Sequence, residues 1–269
     1  MEHKVILITG ASSGFGKICA AMLSSHGHVV YGTSRKNISV PINNVKMLEM
    51  DVTQQGMVSN VVERIMAEQG HIDVLINNAG VGISGAIELA SEQEILLQMG
   101  TNFMGVVNVC KAVLPYMRQA RSGRIINISS IAGVIAVPFQ GFYSASKFAI
   151  EGYSEALSVE VKPFGIKVCL VEPGDFSTNF TANRRVSELT VANEDYSQTF
   201  LQTMKIIEDA ENNGSPPEKL GRAICKLVNC RNPRLRTKVG RFDQVVFAKC
   251  KCLLPSPIVQ WVVRTFYKL

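Results

Sequence analysis

Tyr143 and Lys147 stand four residues apart in the run Tyr143-Ser144-Ala145-Ser146-Lys147. On an α-helix, positions i and i+4 share a face, so a phenol and an ammonium would point into one pocket. A cation beside a phenol favours the phenolate. The spacing therefore predicts a tyrosine pKa drawn down from about 10 towards the range of a general acid or base. Such a pair is a common coincidence, and it gains meaning from a second constellation, Thr9-Gly10-Ala11-Ser12-Ser13-Gly14-Phe15-Gly16. This loop follows an apolar strand and opens a helix. Gly10 permits a tight turn, Gly14 lets a pyrophosphate approach the backbone, and Gly16 allows close helix packing. Phosphates would then meet free N–H groups, those of Ser12, Ser13 and Phe15 among them, at the positive end of a helix.

The end of the second strand indicates the nucleotide. An NAD site carries an acid there for the ribose hydroxyls, whereas an NADP site offers a cation to the 2′-phosphate. The chain reads Thr33-Ser34-Arg35-Lys36, with no acid and two cations. Arg35 can hold a phosphate through its planar fork, and Ser34 is small enough to admit it; NADP(H) is expected in preference to NAD(H). After the third strand, Asp51-Val52 either caps the next helix or hydrogen-bonds the adenine amine. Asn77-Asn78-Ala79-Gly80 ends the fourth strand, where small and amide residues let the chain turn beside an adenosine ribose.

The elements that must carry these residues follow from apolar patterning. Lys4–Thr9, Val29–Thr33, Val45–Met50, Ile72–Ile76, Arg124–Ile128 and Ile166–Val171 read as strands, with Arg236–Val239 as a seventh. Helices are expected from about Lys17 to Ser25, Thr53 to Gln69 and Glu218 to Cys230. Continuously apolar strands alternating with helices indicate an α/β, Rossmann-type, doubly wound, seven-stranded parallel sheet covered on both faces. No repeat or linker interrupts residues 1–269, which read as one domain. Asp175–Pro217 is polar and poor in strand signals, a lid or specificity insert, and residues 241–269 form a helical tail.

The chain has 269 residues, 46% hydrophobic and 19% charged, enough apolar material to exclude disorder. A net charge of +6 is spread along the chain and reads as a solvated surface rather than a nucleic-acid site. Seven cysteines form neither a disulfide framework nor a zinc ribbon, so no metal is expected. The odd cysteine count and the lack of a signal-like start point to the cytoplasm. No apolar run reaches the ~18 residues of a membrane span.

Together the motifs resemble the short-chain dehydrogenase/reductase family, in its single-domain subclass. They are TGASSGFG at Thr9–Gly16, NNAG at Asn77–Gly80, Asn102-Phe103-Met104-Gly105, Ser129-Ser130, Tyr143–Lys147, and Pro173-Gly174 followed by Thr178. The resemblance implies that Tyr143 exchanges a proton with the substrate oxygen, and that Lys147 lowers the tyrosine pKa and holds the nicotinamide ribose. Ser130, 13 residues before Tyr143, would hydrogen-bond the carbonyl or alcohol, in preference to Ser129. Asn102 would hold a water that links Lys147 to solvent. Pro173, Gly174 and Thr178 would contact the nicotinamide. A homodimer or homotetramer is implied on the same ground. Phe15 departs from the smaller side chain common at its position, a change expected to alter packing without removing a phosphate contact.

The segment Val168–Phe180 looks like the 17β-hydroxysteroid and retinol dehydrogenase branch, which implies a lipophilic alcohol or ketone. A 3-oxoacyl-thioester reductase shares every motif, and a non-catalytic NADP-binding regulator is the alternative of another class. The apolar tail from Leu253 to Tyr267 suits a pocket roof, a subunit interface or a membrane surface, interface or core packing being the simplest.

Overall fold

The computed structural model describes residues 3–36, 42, 44–178, 181 and 183–269. The chain alternates strand and helix: β1 (Val5–Ile8), α1 (Gly14–Ser25), β2 (Val29–Ser34), β3 (Lys46–Glu49), α2 (Gln55–Gln69) and β4 (Val74–Asn77). It continues through β5 (Ile83–Ser84), α3 (Glu92–Met99), α4 (Gly105–Gln119), β6 (Gly123–Ile128), α5 (Gly141–Glu160) and β7 (Ile166–Pro173). The last third comprises β8 (Arg185–Val186), α6 (Glu188–Ala192), α7 (Ser197–Asn212), α8 (Glu218–Asn229), β9 (Arg236–Val239), α9 (Phe242–Cys250) and α10 (Ser256–Tyr267).

Strand periodicity explains the apolar runs. Successive side chains leave opposite faces of a strand, and both faces of this sheet are covered. Val5 and Leu7 of β1 enter one core with Val58, Val62 and Ile65 of α2 and Val109 and Val113 of α4. Ile6 and Ile8 enter the other, against Cys19, Ala20 and Leu23 of α1 and Leu220, Ile224 and Val228 of α8. A strand with one face in water would need alternation; here none is required.

Seven strands pair in the order β3-β2-β1-β4-β6-β7-β9, all parallel. The chain winds outward from β1 to β3, then returns to add β4 on the other side. That reversal opens a crevice beyond the carboxyl ends of β1 and β4, where α/β sheets bind ligands. Every motif picked out in the sequence follows the carboxyl end of a strand or lies in the helices beside it.

Two departures from the sequence expectation concern this crevice. α1 begins at Gly14, inside the glycine loop, so its first-turn amides lie in the loop itself. Asp175–Pro217 is more ordered than its polarity suggests. β8 pairs with β5, and α7 buries Phe200, Met204 and Ile207. The i, i+4, i+7 spacing of those three is a helical stripe, diluted by Gln202, Thr203 and Lys205 between them. Asn179, Phe180 and Ala182 lie outside the described residues.

Candidate active site and its relatives

The glycine loop is locked to the next strand by side chains. Thr9 Oγ1 accepts the backbone N–H groups of Asn78 and Ala79, each at 3.0 Å. Asn78 Nδ2 donates to the carbonyls of Thr9 and Gly10, both at 3.0 Å. Gly10 holds φ +67°, and a Cβ there would lie 2.8 Å from Ala79 Cα. At Gly16 a Cβ would strike the Gly10 carbonyl, whereas at Gly14, with φ +50°, it would stand in open space. Gly14 is therefore not needed for packing. Ser13, the residue before α1, makes no side-chain cap, and the first turn holds no acid. An uncapped helix start under a glycine with open space before it fits a pyrophosphate. Ser12 is exposed beside it.

The Ala11 N–H bonds the Thr33 carbonyl at 2.8 Å, which sets the loop beside the end of β2. Arg35 is exposed there, and Ser34 Oγ accepts the Lys36 N–H at 3.3 Å. These residues fit a phosphate on the ribose. Asp51 Oδ1 accepts from both the N–H and the hydroxyl of Thr53, at 2.9 and 2.8 Å, so this oxygen is engaged in the turn that leads into α2. Val52 is buried, and its carbonyl accepts from Asn108 Nδ2. Gly80 passes close to Asn102, whose Oδ1 would lie 3.4 Å from a Cβ there. Phe15 packs edge-to-face on Phe176, with centroids 5.1 Å apart, and so joins the glycine loop to the segment after β7.

Asn102 lies in a π-turn, Gly100–Met104, between α3 and α4; such one-turn insertions concentrate at functional sites. Its side chain is fully buried and engaged. Nδ2 donates to the Val81 carbonyl at 3.0 Å and Ser146 Oγ at 3.1 Å, and Oδ1 accepts the Val81 N–H at 2.8 Å. Ser146 in turn donates to the Tyr143 carbonyl at 2.7 Å. Asn102 thus ties the loop after β4 to the start of α5. Sequence reading quoted Ser146 without giving it a role. Gln98, one turn before Asn102, pins the same stretch through Val81 O and Ile83 N.

Tyr143 and Lys147 share the buried side of α5, with Lys147 Nζ 5.7 Å from the Tyr143 ring centroid. Nζ donates to the Ile128 carbonyl at 2.9 Å. The expected lowering of the phenol pKa is not what the structure gives. Burial pushes Tyr143 up to about 12, opposed by a hydrogen bond with Ser130. Burial also pushes Lys147 down to about 8, with Glu151 opposing. Burial is the largest influence on the phenol, while the ammonium is engaged by the Ile128 carbonyl.

Ser130 ends the stretch after β6, bonding the Ala132 N–H at 3.0 Å and reaching the Pro173 carbonyl at 3.5 Å. It faces Tyr143, whereas the neighbouring Ser129 is buried beside Glu151. Pro173 closes β7, and the Gly174 N–H bonds Val239 O at 2.8 Å. A Cβ on Gly174 would collide with Gln244 of α9, whose amide also holds Asp175. Thr178 is half-buried beyond it. Sequence reading missed a polar group on the far side of Tyr143. Arg184 pairs with Glu211, both largely buried, and Thr181 Oγ1 donates to Glu211 at 2.6 Å. Tyr267 of α10 feels the charge of the same pair and of Asp175.

A family model described as short chain dehydrogenase matches residues 4–189. The chain belongs to the short-chain dehydrogenase family. This short-chain dehydrogenase is 64% identical over 269 residues to the 3-ketodihydrosphingosine reductase of Bacteroides thetaiotaomicron, covering 100% of both chains. It is 31% identical to human 17-beta-hydroxysteroid dehydrogenase type 1, over 88% of this chain and 77% of that one. A crystal structure of a short-chain dehydrogenase from Streptomyces avermitilis superposes with a TM-score of 0.83 at 32% identity, covering 100% of this chain and 97% of the other. The chain is an oxidoreductase of carbonyl and alcohol groups with the Rossmann-like fold of its family. Among the described residues no helix is long and apolar enough to cross a membrane.

Proposed function

We propose that the chain is an NADPH-dependent reductase of 3-ketodihydrosphingosine, a long-chain amino ketone. The observation that carries this reading is the full-length 64% identity to a protein of that name. It narrows the lipophilic substrate expected from sequence to a linear chain rather than a fused-ring steroid.

The nucleotide is assigned to Gly10, Ser12, Ser13, Gly14, Phe15 and Gly16 for its pyrophosphate, with Ser34 and Arg35 for the 2′-phosphate. Asp51 and Val52 lie on the adenine side, and Asn78, Ala79 and Gly80 beside the ribose. Pro173, Gly174 and Thr178 line the nicotinamide end, with Tyr143 and Lys147 on its ribose. When bound, the nucleotide supplies a hydride.

Tyr143 is the proton donor. A phenol pushed up to about 12 is protonated at neutral pH, the state that a ketone reductase needs. Ser130, already hydrogen-bonded to Tyr143, polarises the same carbonyl oxygen. Lys147 remains a cation below about pH 8, and its charge stabilises the phenolate left after proton transfer. Asn102 positions the first turn of α5 through Ser146. On the far side of Tyr143 the charges of Glu211 and Arg184 reach the phenol, and the two are paired with each other.

NADPH oxidation on addition of 3-ketodihydrosphingosine tests the reading. The expected result is turnover with NADPH well above that with NADH, with Arg35→Ala raising the KM for NADPH about tenfold or more and leaving NADH unaffected. Equal use of NADH would remove Arg35 from the role, and no turnover with either would remove the substrate.

A further inference from the structure

The catalytic reading leaves the outer surface of the C-terminal segment unused. Phe242, Val246, Leu253, Ile258, Trp261 and Phe266 are all exposed there, Leu253 at 80% and Trp261 at 66%. Isolated apolar side chains on a surface need no explanation, but an exposed cluster marks an interaction site. α10 has no fully buried residue. Its inner side is formed by the half-buried Val259, Val262, Val263 and Tyr267, and Tyr267 packs on the cluster of Phe200, Met204 and Ile207. At 3.6 residues per turn, Trp261 lies in the middle of the opposite side. Ile258 comes three residues before it, Arg264 three after and Lys268 seven after.

Charge decides what covers this face. From residue 241 to 269 the basic residues are Arg241, Lys249, Lys251, Arg264 and Lys268, and Asp243 is the one acid. Asp243 is paired with Arg241, and Lys251 Nζ donates to the Val134 carbonyl at 2.6 Å. Lys249, Arg264 and Lys268 are left as exposed cations among the exposed apolar residues of the same segment. A second copy docked face to face would bring like charges together across its two-fold axis. An anionic lipid surface neutralises them instead. Tryptophan with lysine and arginine beside aliphatic side chains is the composition of a helix lying in a membrane interface. With 12 residues, α10 is about 18 Å long, short of the ~30 Å hydrocarbon core, so it suits a surface rather than a span.

We propose that α9, α10 and the turn between them form a docking surface for an anionic phospholipid bilayer, with Trp261 seated at the headgroup level. The inference does not depend on the substrate assigned above. It sets the inner side of α10, which carries Tyr267, between the bilayer and the polar group beside Tyr143.

The full chain, with Trp261 as its single tryptophan, provides its own reporter. It is mixed with phosphatidylcholine vesicles, with or without phosphatidylglycerol, and followed by sedimentation and tryptophan emission. The expected result is a blue shift and co-sedimentation with the anionic vesicles. Binding should be about a hundredfold tighter than to phosphatidylcholine alone, the effect of three cations at the surface, and weakened by salt. The paired change Leu253→Asp and Ile258→Asp should lose the blue shift while thermal melting and NADPH binding stay unchanged. No binding to either vesicle would overturn the proposal. So would Trp261 emission that is already blue without lipid and reddens on dilution as a dimer dissociates, which would assign the face to a second copy.

Discussion

Tyr143 and Lys147 show how far residue spacing reaches. Their separation placed both on one side of a helix and in one pocket, as i and i+4 require. It did not reveal that burial would dominate the pair, because desolvation depends on what the rest of the chain packs around them. The consequence is a phenol that stays protonated and an ammonium that begins to lose its proton just above neutral pH. Lys147 is charged below about pH 8 and loses its proton as the pH rises through that value, while Tyr143, at about 12, does not titrate in the working range. The profile of kcat/KM for NADPH, which reports the free enzyme, is expected to be flat at neutral pH and to fall above about pH 8. A limb rising through pH 8 would assign the wrong proton to the lysine. Replacing Tyr143 with Phe removes the donor and should lower kcat by about 10²–10⁴-fold with NADPH affinity nearly unchanged, as read by nicotinamide fluorescence. Retention of activity in that variant would move the proton donor elsewhere. Ser146 was within the quoted motif, yet its bond to Asn102 depends on a helix that only the fold brings near.

At the scale of elements, the glycine loop and the π-turn separate packing from binding. A methyl at Gly16 meets the Gly10 carbonyl, so Gly16→Ala should destabilise the protein by about 1–3 kcal/mol. At Gly14 the methyl meets nothing, but φ is +50°. Gly14→Ala should cost about 1–2 kcal/mol in stability and, in addition, weaken NADPH binding about tenfold. Thermal melting and nucleotide titration on the two variants distinguish the roles; an unchanged nucleotide affinity in Gly14→Ala would contradict the pyrophosphate assignment. Asn102→Ala leaves the buried Val81 N–H without its acceptor and should cost about 2 kcal/mol, seen as a lower Tm. The loop's three glycines were legible because each answers a local steric demand. The π-turn was not, since an inserted residue in a helix has no apolar period of its own. β5 and β8, two residues each, were too short to carry a strand pattern.

Across the whole molecule, the sheet was readable because its central strands, β1 and β4, are buried on both faces and almost continuously apolar. In the last third, α8, β9 and the helical tail were legible in the sequence, but the long-range polar contacts that hold them to the sheet were not. Arg124 in β6 illustrates this. Read as the start of an apolar strand, it is buried and donates to the carbonyls of Leu227, Val228 and Cys230 at the end of α8. A cation on the terminal carbonyls of a helix is favourable, and removing it leaves buried acceptors without donors. Arg124→Met is expected to cost on the order of 3 kcal/mol, lowering Tm by about 6–12 °C with little change in kcat. A Tm within error of the parent would show that these bonds do not hold α8.

Under the proposed function, the crevice at the strand reversal, the glycine loop and Tyr143 serve one chemical event, delivery of a hydride and a proton to a ketone. The most direct test supplies NADPH deuterated at nicotinamide C4, prepared in each configuration, with 3-ketodihydrosphingosine and examines the product by mass spectrometry. The expected result is one deuterium on the carbinol carbon with one of the two labelled forms, and no labelled product from Tyr143→Phe. Unlabelled product from both forms, or no product at all, would contradict the assignment of this chain as a 3-ketodihydrosphingosine reductase.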